Sequence, residues 1–159
     1  MIRGIHHVAI NVADFERMAD FYRRAFGFEE MPGAFAWADN PDYDRVLGVP
    51  GSKGRVAMFR AGASFLELFE YAAPPARDMP PLRPNDRGYT HFCVIVEDMD
   101  REFERLKAEG MTFVADRPGH EDGMRGIYGA DPEGNVIELL ELPAGHPWVL
   151  DGAGPPTRA

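Results

Sequence analysis

Two histidines and two glutamates have types and positions that suit a metal site. Imidazole nitrogen and carboxylate oxygen are common protein ligands of divalent transition metals, and no sulfur ligand is needed beside them. One histidine and one glutamate fall in each half of the chain. We predict that one divalent ion (Zn, Ni, Co, Mn or Fe) is bound by His7, Glu67, His91 and Glu138.

These four residues occupy matching places in an internal repeat. Residues 7–14 read HVAINVAD and residues 91–98 read HFCVIVED, while residues 65–70 read FLELFE and residues 136–141 read VIELLE. Each copy therefore begins with a histidine and ends in a strand centred on a glutamate. Two copies are too few for a solenoid, so the repeat predicts a closed pair of similar modules.

Strand periodicity places all four side chains on the sheet face that points away from the helices. Side chains alternate between the two faces of a strand, so Glu67 shares its face with Phe65 and Phe69. A buried carboxylate needs a positive partner or loses its charge. Taken singly, a strand histidine is more often a hydrogen-bonded core residue, and a strand glutamate more often solvated. Because both halves place a histidine and a glutamate on the same face of their strands, a metal site is favoured.

Each histidine strand runs into an amphipathic helix. Apolar residues recur at helical spacing over residues 15–26 and 99–106. Several short strands follow each helix, so each half has the predicted order β-α-β-β-β and the chain is predicted to be α+β. The predicted helix caps are Asp14 and Asp98 at the N-termini and Gly27 and Gly110 at the C-termini.

The chain is predicted to form one domain over residues 1–159. The first half is longer than the second, and its extra residues fall in region 39–53, whose prolines, glycines and aspartates predict a loop. The predicted parts are module one at about 4–72, a linker at about 73–88, module two at about 89–142 and a tail at 143–159.

Composition narrows the class of protein. The net charge of -9 disfavours nucleic acid and anionic membranes as partners, because both require an excess of Lys and Arg. The single cysteine, Cys93, rules out an intrachain disulfide and suits a reducing compartment. No apolar run has the length of a signal peptide or a membrane span. We therefore expect a cytoplasmic protein that acts on a small molecule.

The repeated motifs resemble the vicinal oxygen chelate superfamily, which includes glyoxalase I, methylmalonyl-CoA epimerase, extradiol dioxygenases, and fosfomycin- and bleomycin-resistance proteins. The resemblance implies a cup-shaped, mostly antiparallel sheet with helices on its outer face and a metal at its centre. It also implies that the metal ligands are His7, Glu67, His91 and Glu138. Of the doublet at the N-terminus, His7 matches the ligand position and His6 does not.

Further residues could bind the substrate. Phe69, Tyr71 and Tyr89 are candidates for an apolar wall, although core packing explains them almost as well. Arg125 and Tyr128 follow a predicted loop and could hold a substrate carboxylate or carbonyl.

The resemblance implies a metal-dependent lyase or isomerase of the glyoxalase or epimerase type, acting on a small oxygen-chelating substrate through an enediolate-like intermediate. Glu138 or Glu67 would be the catalytic base, and the sequence does not choose between them. One alternative is an extradiol-type Fe(II) ring-cleavage dioxygenase, which needs only His7, His91 and Glu138. Another is a non-catalytic binding or resistance protein, but such members typically lack the ligand set. We also expect a homodimer.

Overall fold

The computed structural model describes residues 1–77 and 79–149. Its contacts divide the chain into two compact units, one covering Met1–Met79 and the other beginning at Pro80, called here the first and second halves. The predicted 143–159 tail falls largely outside the described residues. The single-domain organisation remains a prediction.

The first half is a five-stranded mixed sheet with two helices. The parallel neighbours β1 and β5 are followed by antiparallel β4, and β2 and β3 both pair with β4 as two pieces of one interrupted strand. Its elements are β1 (His7–Asn11), α1 (Phe15–Phe26), β2 (Glu29–Glu30), β3 (Phe35–Trp37), α2 (Pro41–Leu47), β4 (Lys53–Ala61) and β5 (Ser64–Ala73).

The second half repeats this arrangement with one helix. β6 is parallel to β10, β9 is antiparallel to β10, and β7 and β8 both pair with β9. Its elements are β6 (Phe92–Ile95), α3 (Met99–Ala108), β7 (Thr112–Phe113), β8 (Gly119–Glu121), β9 (Met124–Ala130) and β10 (Val136–Glu141). The predicted α+β class is confirmed. The β-α-β-β-β order holds in both halves when β2–β3 and β7–β8 are each counted as one interrupted strand, and α2 is an addition in the first half.

Each main helix covers the face of its sheet that the strand periodicity predicted. In the first half α1 packs against β5, whose Leu66 and Leu68 are fully buried, and in the second half α3 packs against β10, where Ile137 and Leu139 are buried. Removing a large apolar side chain from water contributes about 1.5–3 kcal/mol. Because one face of each strand is buried against a helix, the opposite face remains for the predicted ligand residues.

The predicted helix ends are largely confirmed. Asp14 caps α1 by accepting the N–H of Arg17, and Gly27 ends the helix with a left-handed φ of 65°. Asp98 caps α3 in the same way, but that helix ends at Ala108, and Glu109 rather than Gly110 is its C-cap. None of the helices in the described ranges is long and apolar enough to cross a membrane.

Region 39–53 was predicted to be a loop, and that prediction is wrong over its centre. Residues Pro41–Leu47 form α2, which begins after an Asn40 N-cap and ends at Gly48 in the left-handed conformation. Proline suits the first helical turn because its missing N–H is not needed there. The same residue types that indicate loops thus also start and stop a short helix.

A clamp of side chains ties α1 to its sheet. Glu70 on β5 accepts the N–H of Phe15 at 3.0 Å and two bonds from Arg55 on β4, and Arg55 also pairs with Glu16 at 2.7 Å. The Arg55 bonds, opposed by burial and helped by the Phe15 N–H, hold the pKa of Glu70 below its ordinary value. An anion at a helix N-terminus is favoured by the helix dipole.

The second half has the same clamp at matching positions. Glu141 on β10 accepts the N–H groups of Asp98 and Met99, and Arg125 on β9 pairs with Asp100 in the first turn of α3 and lies 3.6 Å from Glu141. We call the sets Arg55–Glu70–Glu16 and Arg125–Glu141–Asp100 the helix clamps.

Candidate metal centre

In the first half, strand pairing brings His7 and Glu67 together. β1 and β5 are parallel neighbours, and their register sets Glu67 opposite Ala9, two residues along from His7 on the same face. The His7 Nε2 atom lies 3.2 Å from Glu67 Oε2, and the side chains are 38% and 18% exposed. They therefore form a partly open polar pair and not a buried core contact.

The second half repeats this pair at the same distance. Glu138 on β10 lies opposite Cys93 on β6, and His91 directly precedes that strand. The His91 Nε2 atom lies 3.2 Å from Glu138 Oε2, and the side chains are 25% and 22% exposed. We call His7–Glu67 and His91–Glu138 the His–Glu pairs, and the sheet face that carries each one the pair face.

The geometry of each His–Glu pair suits half of a metal site. Two ligand atoms about 2.1 Å from an ion and at right angles to each other are about 3 Å apart. The Nε2–Oε2 distances of 3.2 Å match this spacing in both halves. Among residues 1–77 and 79–149, however, no group of three or more His, Cys, Asp or Glu is placed to hold a metal. The four-ligand centre therefore stays a prediction.

The charge around both glutamates is negative. Burial and then the charge of Glu67 raise the pKa of the Tyr43 and Tyr71 hydroxyls. Burial, the charge of Glu138 and a hydrogen bond to it raise the pKa of the Cys93 thiol to about 12, so this thiol stays protonated. In the described part of the chain, Glu67 and Glu138 form ion pairs only with histidine. A cation at either pair would relieve this charge.

Three of the five predicted substrate residues lie on the pair faces. Phe69 and Tyr71 share the β5 face with Glu67, and their rings stack with centroids 5.6 Å apart. Tyr128 lies directly opposite Glu138 in the β9–β10 register, and its ring meets His91 edge-on at 4.8 Å. Tyr89 lies ahead of β6 and is 65% exposed.

Arg125 lies elsewhere. It faces Glu141 across β9–β10 and belongs to the helix clamp, on the side of the sheet opposite Glu138. Its two acidic partners and the Asp98 charge raise its pKa, with the Asp100 bond as the largest cause. The register of β9 therefore directs this side chain away from the pair face and from the predicted substrate role.

Sequence reasoning missed an aromatic wall on the first pair face. Trp37 on β3 is buried, and its ring meets Tyr43 of α2 at 5.1 Å and Tyr71 at 5.3 Å. Its Nε1–H donates to Ser52 Oγ at 2.8 Å, and Ser52 in turn donates to Asp44 on α2. The Asn40-Pro41 start and the Gly48 stop of α2 were the signals that could have located it.

Comparison with known proteins identifies the family. Residues 4–139 match the family model described as the Glyoxalase/Bleomycin resistance protein/Dioxygenase superfamily. The chain belongs to this superfamily. It is 36% identical over 152 residues to 2-epi-5-epi-valiolone epimerase from Actinomyces sp., covering 91% of this chain and 82% of the relative. Membership and this relative together support an enzyme.

Solved structures agree on the fold. A glyoxalase family protein from Bacillus cereus has a TM-score of 0.79 at 26% identity, with 90% of this chain and 97% of that chain covered. The fosfomycin resistance protein FosX from Listeria monocytogenes, solved with Mn(II) and sulfate, has a TM-score of 0.56 at 20% identity, with 91% and 96% covered. At that identity the second likeness shows the fold alone.

Proposed function

We propose that this protein is a divalent-metal-dependent isomerase of the epimerase type. Its substrate is a small molecule with a carbonyl next to an acidic C–H. The observation that carries the proposal is the repeated His–Glu pair, with the same 3.2 Å distance in each half. The epimerase relative at 36% identity supports the reaction class.

The proposed metal takes His7, Glu67, His91 and Glu138 as ligands. Bound there, it supplies Lewis-acid polarisation of the substrate carbonyl and stabilises the negative charge that develops on its oxygen. The subunit arrangement decides whether the two His–Glu pairs that bind one ion come from a single chain or from two copies in a homodimer. Analytical ultracentrifugation with and without metal tests the dimer.

The two glutamates supply the proton chemistry. Inversion at carbon requires a proton to leave one face and return to the other, so two carboxylates suit the reaction better than one. A carboxylate bound to a cation is a weak base, so the glutamate that takes the proton would need to be the more weakly coordinated of the two. The protonated Tyr128 hydroxyl lies opposite Glu138 and can donate a hydrogen bond to substrate. Phe69 and Tyr71 wall the site beside Glu67.

The equal geometry of the His–Glu pairs favours this reading over a dioxygenase. An extradiol-type iron site uses two histidines and one glutamate, which leaves Glu67 without a role. The distance between Glu67 and His7 equals the distance between Glu138 and His91. Oxygen uptake with catechols would support the dioxygenase instead.

The decisive experiment combines metal content with proton exchange. Elemental analysis of protein purified without added metal should find one divalent ion for each ligand set. With 2-epi-5-epi-valiolone in D₂O, NMR should show deuterium entering beside the carbonyl, and chelation should abolish it. Protein that is metal-free and equally active after chelation would overturn the proposal.

Matched substitutions separate the roles of the two glutamates. Glu67→Gln and Glu138→Gln keep an amide oxygen for the ion but remove the base. Because each glutamate serves one face of the carbon, and loss of a general acid or base lowers turnover by about 10²–10⁴-fold, both variants should lose epimerisation by that amount. The four-ligand site fails if Glu67→Gln keeps wild-type metal affinity and turnover while Glu138→Gln loses both.

A further inference from the structure

In each His–Glu pair, the ring nitrogen that faces away from the glutamate is hydrogen-bonded to the residue directly before the histidine. His7 Nδ1 lies 2.9 Å from His6 Nδ1, and His91 Nδ1 lies 2.8 Å from Thr90 Oγ1. The two partners differ in type, yet the contact is the same in both halves. Each histidine is thus held at Nδ1 while its Nε2 meets a carboxylate.

The partner in the first half is itself held in place. The His6 ring stacks on Phe65 with centroids 4.9 Å apart. Its backbone oxygen accepts the N–H of Phe65 at 3.2 Å and the hydroxyl of Ser64 at 3.1 Å. In the second half, the edge-on contact of His91 with Tyr128 restrains the ring that Thr90 contacts. Both contacts therefore lie at the starts of the outer strands β1 and β6.

The chemistry of imidazole gives these contacts a role. A neutral histidine has one N–H and one lone pair on its two nitrogens. A cation at Nε2 needs the lone pair there, so Nδ1 must carry the hydrogen and donate it. Without a cation, Nε2–H donates to the glutamate and Nδ1 accepts. An imidazole or a hydroxyl can take either part, whereas a carbonyl or carboxylate can only accept.

We propose that His6 and Thr90 are positioning residues for His7 and His91. They orient each ring with Nε2 toward its glutamate, and their hydrogen bond reverses direction when the metal binds. They contact neither the metal nor the substrate, and they act only through the histidines. The inference rests on the proposed metal dependence, because it concerns the histidine tautomers that a metal selects.

Paired substitutions at Thr90 and His6 test the positioning role by changing one hydrogen-bonding group at a time. Thr90→Val removes the hydroxyl but keeps the shape, and Thr90→Ser keeps the hydroxyl. His6→Val removes the partner, and His6→Thr places in the first half the residue type used in the second. Loss of such outer partners weakens metal binding by roughly 10- to 100-fold. Competition titration with Zn²⁺ should show this loss for both valine variants and wild-type affinity for Thr90→Ser and His6→Thr.

A spectroscopic measurement distinguishes positioning from a general loss of stability. Side-chain ¹⁵N NMR of the wild type should report Nε2–H tautomers at His7 and His91 in metal-free protein and Nδ1–H tautomers with Zn²⁺ bound. The valine variants should have mixed tautomers in the metal-free state, and Thr90→Val, which keeps the shape of the side chain, should do so while melting at the wild-type temperature. A variant that merely loosens the fold would lower the melting temperature instead.

The outcomes separate this inference from the proposed function. Wild-type Zn²⁺ affinity in both valine variants, with unchanged tautomers, would overturn the positioning role and leave metal dependence standing. A wild-type protein that binds none of Zn²⁺, Mn²⁺, Co²⁺, Ni²⁺ or Fe²⁺ would overturn both.

Discussion

The two halves build the same His–Glu pair but surround it differently. Each half places a histidine and a glutamate 3.2 Å apart on the pair face and fastens its main helix with an arginine–glutamate clamp on the opposite face. What differs is the part of the pair face formed by the short strand pieces. The shared features hold the proposed ligands, and the differing ones shape the space beside them.

The contrast is sharpest where β3 and β8 occupy matching registers. Phe35 lies opposite Val56 in the first half, whereas Gly119 lies opposite Gly126 in the second. Two residues further along, Trp37 fills the first pair face, and the exposed Glu121 occupies the matching position in the second half. Aromatic side chains and α2 cover this part of the first pair face. In the second half, glycines leave the matching part of the pair face without large side chains.

The largest expected effect comes from removing the wall. Trp37→Ala should lower the free energy of unfolding by about 3–5 kcal/mol, because a buried aromatic ring leaves a cavity. It also removes the donor to Ser52. Chemical denaturation measures this loss. If the aromatic wall and the His–Glu pair act independently, metal affinity should stay at the wild-type value. Trp37→Phe is the conservative control. A Trp37→Ala variant of unchanged stability would contradict the comparison.

Substitutions at two glycines of β9 should have effects on stability of intermediate size. A Cβ at Gly129 would lie 2.7 Å from the Thr112 backbone oxygen, whereas a Cβ at Gly126 would meet nothing closer than 3.5 Å. Overpacking costs about 1–3 kcal/mol, so Gly129→Ala should destabilise the protein by that amount in thermal or denaturant unfolding. Gly126→Ala should be neutral or stabilising.

Gly126 also tests the open side of the second pair face. A Cβ there would lie 3.9 Å from Glu138 Oε1. Gly126→Val, which copies Val56 of the first half, should raise KM for the substrate while metal affinity stays unchanged. Equal KM values for Gly126→Val and wild type would show that substrate does not use this space.

The smallest effect concerns the clamps, where the halves should behave alike. Arg55 holds the pKa of Glu70 below its ordinary value of 4.5, so this pairing stabilises the fold above that pH and is lost as pH falls through the folded-state pKa. Arg55→Met should lower the free energy of unfolding by about 1 kcal/mol at neutral pH.

The pH series is the measurement that checks the clamps. The difference between wild type and Arg55→Met should shrink as denaturation is repeated at falling pH below 4.5. Arg125→Met should show the same trend in a lower pH range, below 3.8, because Arg125 lowers the pKa of Asp100 from that ordinary value. A difference that stays constant down to acid pH would mean that the clamp carboxylates do not contribute through their charge.

The sequence by itself determined the duplicated frame. Apolar residues with a period of two or of 3.6 are a local signal, and they placed β1, β5, β10, α1 and α3 and assigned the correct face to His7 and Glu67. The Asp-Pro-Glu-Gly-Asn sequence at residues 131–135 is likewise a local turn signal, and Asp131 accepts the N–H groups of Glu133 and Asn135.

Only the tertiary structure decided which distant residues meet. The register of β9 on β10 sent Arg125 to a helix clamp and Tyr128 to the pair face, and a shift of one residue would have exchanged them. The contacts of Trp37 with Tyr43 and of His6 with His7 depend in the same way on packing and side-chain rotamers. Strand register and rotamers are set by partners far along the chain, so no local pattern in the sequence encodes them.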